Sequence, residues 1–129
     1  MDRLRQRADF LAVANGARVN SPAFTLQGRR RDDLGPARVG FTVTKKNGNA
    51  PQRNRIRRRL REAVRALGGT ADFVALHPHH DYVLVGRRPA LTCDFSTMLD
   101  DLRSALQRLD RQAATRKARE PRPGSNDET

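Results

Sequence analysis

The chain has 129 residues and a formal net charge of +12, which allows one modest domain but not two. The excess of arginine and lysine indicates a nucleic acid or an anionic membrane surface as partner. A membrane is the weaker option, because no apolar run approaches the ~20 residues needed to cross a bilayer and the charged N-terminus is unlike a signal peptide. The single cysteine, Cys93, cannot form an internal disulfide, which fits a reducing cytoplasm.

The first half of the chain predicts a helix and two strands. The helix ends near Asn15-Gly16, a good stop signal, and its expected packing residues are Ala8, Leu11, Ala12 and Ala14. A strand is expected over residues 21–27, followed by a polar hairpin loop over 28–36. The second strand, over 38–44, alternates so that one face carries Val39, Phe41 and Val43.

The second half predicts a long helix, a strand and a final helix. A turn at 47–49 leads into a helix over 51–67, which Gly68-Gly69 closes. Residues 82–86 form a continuous apolar strand, which is typical of a central position in a sheet. The final helix is marked by Phe95, Met98, Leu99, Leu102 and Leu106, and from about Arg111 the chain is expected to be disordered.

The helix over 51–67 combines an apolar stripe with a dense run of arginine. Six of the nine residues from Arg53 to Arg61 are arginine, and no Asp or Glu occurs between Lys45 and Arg61. Like charges at i and i+4 destabilise a helix by a few tenths of a kcal/mol per pair, so a purely structural helix would gain by alternating with glutamate. The stripe consists of Ile56, Leu60, Ala63, Val64 and Leu67. The pattern predicts a rigid cationic platform for a polyanion.

The order of residues around this helix resembles the bacterial ribonuclease P protein family. The strand over 38–44 runs into Lys45-Lys46, then Gly48-Asn49-Ala50, then Arg53-Asn54-Arg55. The resemblance is specific at these positions and extends weakly over most of the chain, except about 68–80 and the C-terminal tail. It implies an α+β fold: a two-layer α/β sandwich with a small mixed sheet of about four strands, covered by helices, and a left-handed βαβ crossover. One domain would span 1–110, with a basic, polar tail over 111–129.

The same resemblance implies a function. The chain would be the protein subunit of ribonuclease P, with ribonuclease P RNA and precursor tRNA as partners and one protein bound per RNA. It would assist removal of the 5′ leader while the RNA subunit, holding most of the Mg²⁺, carries out catalysis. The expected RNA-binding residues are Lys45, Lys46, Arg53, Asn54, Arg55, Arg57, Arg58, Arg61 and Arg65. Asn54 could instead lock the first turn of the helix, and its amide leaves both readings open.

Phe10 has two readings that the sequence leaves open. In the resembled family an aromatic side chain at this place lines a cleft between the N-terminal helix and the sheet, and the single-stranded leader passes through it. Stacking of a base on one ring is worth about 1–3 kcal/mol. The alternative is that Phe10 is an ordinary core residue. Ala14 and Gln27 stand where family members often carry further aromatic residues, which would reduce the stacking surface of a cleft.

No residues are arranged for catalysis by the protein itself. His77, His79 and His80 with Asp81 have a spacing that could hold a divalent ion, but further ligands for a closed site are missing, and exposed loop residues are the preferred interpretation. Cys93 has no histidine placed to activate it. Two alternatives to the ribonuclease P reading are a ribosomal or other structural RNA-binding protein and a DNA-binding regulator, although neither explains the order of residues after 44 and no helix-turn-helix spacing is present.

Overall fold

The computed structural model describes residues 2–4, 6–31, 33, 35–68, 76–77 and 79–119. Eight elements and two short 3-10 turns make up the fold. In chain order they are β1 (Asp2–Arg3), α1 (Arg7–Ala14), β2 (Ala17–Asn20), β3 (Phe24–Arg30), β4 (Arg38–Val43), the first 3-10 turn (Lys45–Asn47), α2 (Ala50–Gly68), β5 (His80–Gly86), the second 3-10 turn (Arg88–Leu91) and α3 (Phe95–Arg119).

The strands form one mixed sheet in the order β1-β4-β5-β3-β2. Strands β1, β4 and β5 pair in parallel, whereas β5 pairs with β3, and β3 with β2, in the antiparallel sense. The parallel neighbours β4 and β5 are joined through α2, so the βαβ crossover lies at the predicted place. The predicted α+β architecture is confirmed, with four strands of four to seven residues and the two-residue β1 at one edge. The left-handed sense of the crossover stays a prediction.

Helices α2 and α3 pack on one face of the sheet and enclose the main core. The largest fully buried side chains of this layer are Phe24, Leu26, Ile56, Leu60, Leu67, Leu84, Met98 and Leu102. Helix α1 covers the opposite face through a smaller cluster of Leu4, Val13 and Val83. The face of the sheet under α1 therefore has less apolar cover than the face under α2 and α3, which leaves room for polar side chains beside α1.

The predicted packing side of α1 is wrong. Leu11 is 55% exposed and Ala8 is also exposed, whereas Val13 is completely buried and Phe10 packs against the same small cluster. Residues 10 and 13 lie one turn apart on one side of a helix, as i and i+3 neighbours do. An eight-residue helix shows too few turns for its small alanines to reveal which side docks.

Two strand assignments also change. Strand β3 covers Phe24–Arg30, not 21–27, and β2, which the sequence analysis missed, pairs with it. The run of arginines after Gly28 was assigned to a loop because of its polarity. Pairing with β5 over seven positions holds it in the sheet instead, and the following Arg31 is buried.

Helix α3 continues to Arg119, beyond the end that the apolar pattern predicts. Among the α3 side chains that the structure describes, which end at Gln112, Leu109 is the last buried one. The residues after it are mainly alanine, arginine, glutamine and lysine, which are strong helix formers, and proline first appears at 121. The assigned tail at 111–119 is therefore helical, while its remainder and most of the connection after Gly68 lie outside the described residues.

Candidate RNA-binding surface

The turn before α2 fixes where the arginine helix begins. Gly48 has a φ of 142°, a conformation that side chains rarely adopt, and a Cβ there would stand 2.6 Å from Oε1 of Gln52. The Asn49 side chain accepts a hydrogen bond from the backbone N–H of Gln52, and the Gln52 side chain accepts one from the N–H of Asn49, both at 2.9 Å. This reciprocal pair is a capping box, which satisfies orphan donors at the start of a helix. The turn at Gly48 and the capping box together fix where α2 begins.

The apolar stripe of α2 lies where the spacing predicts. All five of its residues are buried against the sheet and α3. The predicted RNA-binding residues lie off the stripe: Lys45, Lys46, Asn54, Arg55, Arg58 and Arg65 are exposed, and Arg53, Arg57 and Arg61 are half-buried at the side of the helix. These nine side chains therefore lie along the first 3-10 turn and α2, on the sides of the helix that the buried stripe leaves free.

Arg61 lies at the junction of α2 and the sheet. Its guanidinium carbon is 5.6 Å from the centroid of the Phe41 ring in β4, a cation–π contact. Desolvation lowers the pKa of Arg61, and the positive charges of Arg3, Arg65 and Arg57 lower it further. Four cations thus lie close enough to repel one another, with the Glu62 carboxylate opposing them in part, and this excess of positive charge favours an anionic partner there.

The sequence analysis did not include Arg3 in this surface. It belongs there because β1 pairs in parallel with β4, which brings the N-terminal segment to the side of the sheet beside Arg61. The signal in the sequence is too weak to find it, since a two-residue strand has no periodicity.

Three side chains of the assigned RNA-binding set have partners within α2. The side-chain oxygen of Asn54 accepts a hydrogen bond of 2.6 Å from Nη1 of Arg57, and Arg65 pairs with Glu62 at 3.1 Å. The first contact orients Arg57 and leaves the amide nitrogen of exposed Asn54 on the surface. It supports an ordering role for Asn54 without removing its capacity to donate to a partner.

Arg59 has a different task from its neighbours. Its Nη1 and Nη2 donate to the carbonyl oxygens of Ala90 and Cys93, each at 2.7 Å, which ties α2 to the second 3-10 turn and the residues after it. Asn47 reinforces this link, because its side-chain oxygen accepts a hydrogen bond from the N–H of Arg88 at 3.3 Å. Arg59 is thus a structural arginine within a cationic helix.

The ring of Phe10 lies on the α1 face of the sheet. A Cβ at Gly40 would stand 2.6 Å from two carbons of this ring and 3.0 Å from Cβ of Leu4, so only glycine lets Phe10 lie directly on β4. The ring is half-buried and packs against the cluster formed with Val83. Phe10 is therefore partly buried, neither a fully enclosed core residue nor a free surface residue.

The positions that lack aromatic residues lie close to this ring. Ala14 is half-buried at the end of α1. Gln27 of β3 pairs directly with Val83 of β5, so both side chains point to the α1 face. Gln27 is 9% exposed, so a nearly buried amide stands at this position in place of an aromatic ring.

A buried carboxylate organises the end of the sheet nearest to α1. Asp81 is completely buried and accepts hydrogen bonds from Arg31 Nη1 at 2.6 Å and from Arg38 Nε and Nη2 at 2.8 and 2.7 Å. Burial alone would raise the pKa of Asp81, but the hydrogen bonds and charges of Arg38 and Arg31 outweigh it and lower the pKa. Arg31 also binds Asp33, and this bond lowers the pKa of Asp33 to about 2.

The rings of His77 and His80 lie close together, with 5.6 Å between their centroids. His77 Nε2 also lies 3.0 Å from Oδ1 of Asp110. His79 precedes β5 and His80 is its first residue, and both are half-buried, so only His77 is an exposed loop residue. Burial raises the pKa of Tyr82, which accepts a hydrogen bond from the His77 N–H, to about 12. Asp81, beside His80, is committed to arginine. Within the described ranges no three His, Cys, Asp or Glu side chains are grouped to hold a metal ion.

Comparison with known proteins decides the family. The model of the family described as Ribonuclease P matches residues 1–110. The chain belongs to the ribonuclease P protein family. Curated relatives named "Ribonuclease P protein component" include one from Brucella suis, 43% identical over 95% of this chain and 91% of the relative, and one from Gluconacetobacter diazotrophicus, 49% identical over 82% and 89%. The function of this chain is accordingly that of a ribonuclease P protein subunit, and the ribosomal-protein alternative is not favoured.

Solved structures of this family share the fold. The ribonuclease P protein of Staphylococcus aureus superposes with a TM-score of 0.66 at 25% identity, covering 83% of this chain and 94% of the other. The protein from Thermotoga maritima gives 0.64 at 28% identity, covering 86% and 97%. In the part of this chain that the structure describes, no helix has the length and apolar character needed to cross a membrane.

Proposed function

We propose that the arginine surface of α2 binds the catalytic RNA of ribonuclease P. The residues assigned to this contact are Lys45, Lys46, Arg53, Asn54, Arg55, Arg57, Arg58, Arg61 and Arg65. The crowding of positive charge around Arg61 is the observation that carries the proposal, because phosphates would relieve a repulsion that folding alone leaves in place. Arginine suits phosphate through its planar fork of donors, which stays charged at any working pH.

The half-buried ring of Phe10 supports a second contact, with the single-stranded 5′ leader of precursor tRNA. The part of the ring that packs on β4 fixes its orientation, and the exposed part offers a stacking surface for a base. With Gln27 and Ala14 beside it, a groove for the leader would have one aromatic side chain and otherwise rely on hydrogen bonds and charge.

The protein subunit would assist cleavage without performing it. The described residues offer no metal-ligand group, and Arg31 and Arg38 occupy both oxygens of the buried Asp81. We therefore derive no step through a protein-bound Mg²⁺ and assign the chemistry to the RNA subunit with its Mg²⁺. The working complex would contain one protein per RNA, act in the cytoplasm and release the leader to give the mature 5′ end of tRNA.

Reconstitution with a bacterial ribonuclease P RNA tests this function. The protein alone should leave precursor tRNA intact, and the RNA with protein should cleave it at a lower Mg²⁺ concentration than the RNA alone, because protein cations offset phosphate repulsion that Mg²⁺ otherwise screens. Nuclease-treated protein that still cleaved precursor tRNA would contradict the division of labour. A protein that left the Mg²⁺ requirement unchanged would contradict the RNA contact.

A further inference from the structure

A chain of ionic contacts joins the buried Asp81 to helix α1. Arg38 of β4 grips Asp81 with two hydrogen bonds, one to each carboxylate oxygen, at 2.8 and 2.7 Å. The same Nη2 atom of Arg38 lies 3.5 Å from Oδ1 of Asp9, which belongs to α1. Because Asp81 is fully buried and is also held by Arg31 from the end of β3, Arg38 is anchored on the sheet side. The contacts with Asp81 therefore hold the Arg38 side chain in place without any contribution from α1.

The same strand supports the aromatic ring that follows Asp9. Gly40 is two residues after Arg38, so both lie on the α1 face of β4, and the Phe10 ring rests on Gly40. Two adjacent residues of α1 are thus seated on one strand: Asp9 by charge and Phe10 by packing. The helix itself offers little else for docking, since Val13 is its only buried residue among those described.

We propose that Arg38, anchored by Asp81, is a positioning residue for leader recognition: through Asp9 it holds α1 so that Phe10 lies on β4 with its free edge in the groove. The proposal rests on the leader contact assigned to Phe10 above. Asp9 and Arg38 are 29% and 28% exposed, so this contact can be broken with little change to the core. The bidentate bond to Asp81 needs the planar guanidinium, which lysine cannot replace.

Asp9→Asn is the most direct test, because its charge effect and its positioning effect have opposite signs. The substitution removes one negative charge from a protein of net charge +12, which on general electrostatics strengthens binding to any RNA. Loss of positioning instead weakens only leader-bearing RNA. A matched control is Asp100→Asn in α3, which makes the same charge change and breaks an ion pair of 3.6 Å with Arg103, far along the chain from α1.

The measurement is the ratio of precursor-tRNA affinity to mature-tRNA affinity in the reconstituted holoenzyme. Asp9→Asn should lower this ratio by roughly 2- to 5-fold, the effect of a partly exposed ion pair, and Asp100→Asn should not. In a Phe10→Ala background, Asp9→Asn should have no further effect, because the ring that it positions is gone. Melting temperatures of the free proteins, measured alongside, should stay close to the unsubstituted value for both aspartate variants.

Three other results are possible, and each of them would overturn the positioning role. If Phe10→Ala lowers the ratio and Asp9→Asn does not, the leader contact stands and the positioning role is overturned. Equal losses from Asp9→Asn with and without Phe10 also overturn it, since the carboxylate would then act by another route. If Phe10→Ala itself leaves the ratio unchanged, the leader contact fails and the positioning role fails with it.

Discussion

Arg61 of α2 lies over the ring of Phe41 in β4, with 5.6 Å between the guanidinium carbon and the ring centroid. The contact is worth about 0.5–1 kcal/mol at an exposed site and holds the cation at the junction of helix and sheet. Arg61 therefore has fewer conformations to lose when it binds a phosphate than a free arginine would have. Contacts with Phe41 and Asn54 thus restrict Arg61 and Arg57, two of the cations of this surface.

Two adjacent arginines of α2 should respond differently to the same substitution. Arg58 is exposed, whereas Arg59 donates to the carbonyl oxygens of Ala90 and Cys93. Arg58→Gln should weaken binding to ribonuclease P RNA and leave the melting temperature nearly unchanged. Arg59→Gln should lower the free energy of unfolding by about 1.5–3 kcal/mol, since hydrogen bonds from a charged donor are lost.

Thermal melting and RNA binding of both variants check this pair, which has matched chemistry and charge. The opposite outcome, a stable Arg59→Gln protein and an unstable Arg58→Gln protein, would mean that the structural and binding roles are exchanged.

Gly40→Ala should disturb Phe10 without touching α2. The added Cβ would stand 2.6 Å from two ring carbons, so the ring must move away from β4. We expect the free energy of binding of leader-bearing precursor tRNA to weaken by up to about 1–3 kcal/mol. Mature tRNA should bind as before. Competition binding of the two RNAs to the reconstituted holoenzyme measures the difference, and an equal loss for both RNAs would speak against a leader contact at this ring.

Asp81→Asn should destabilise the fold and alter its acid sensitivity. Removing one partner of a buried ion pair typically costs about 3–5 kcal/mol. The pKa of Asp81 is lowered in the folded state, so its contribution is present above the unfolded pKa of about 3.9 and is lost as pH falls through the lower folded value. The stability difference between the two proteins should therefore be constant near neutral pH and shrink below about pH 4. Denaturant unfolding at several pH values tests this, and a difference that grew on acidification would contradict the assigned direction of the pKa.

Helix α2 could be predicted almost completely because one local pattern determines it. Its stripe from Ile56 to Leu67 specifies the buried side, and the turn at 47–49 predicts its start to within one residue, although the capping box of Asn49 and Gln52 emerges only from the structure. The family resemblance added the mixed sheet and the βαβ crossover, which local pattern does not contain, but not the strand order. The nine residues assigned to RNA binding lie on the first 3-10 turn and α2, off the buried stripe, and their contact with RNA stays a prediction.

What the sequence could not reveal depends on contacts between distant residues. Arg31 looked like part of a polar loop, and only its pairing with Asp81, 50 residues later, makes it a buried residue. In the sequence, Arg59 cannot be told apart from the arginines on either side of it. Its structural role depends on two carbonyl groups more than 30 residues away. The sequence does not decide whether Phe10 is a cleft residue or a core residue, and the half-buried residue has features of both.

The salt dependence of binding to ribonuclease P RNA measures directly whether the α2 surface makes phosphate contacts. The comparison is between the unsubstituted protein and the variant with Arg53, Arg57 and Arg61 all changed to Gln, which keeps side-chain length beside Phe41. Each lost phosphate contact should reduce the slope of log K against log salt concentration by about 0.7–0.9, so the slope should fall by roughly 2–3. A folded variant with an unchanged slope would mean that Arg53, Arg57 and Arg61 do not contact the phosphates of the RNA.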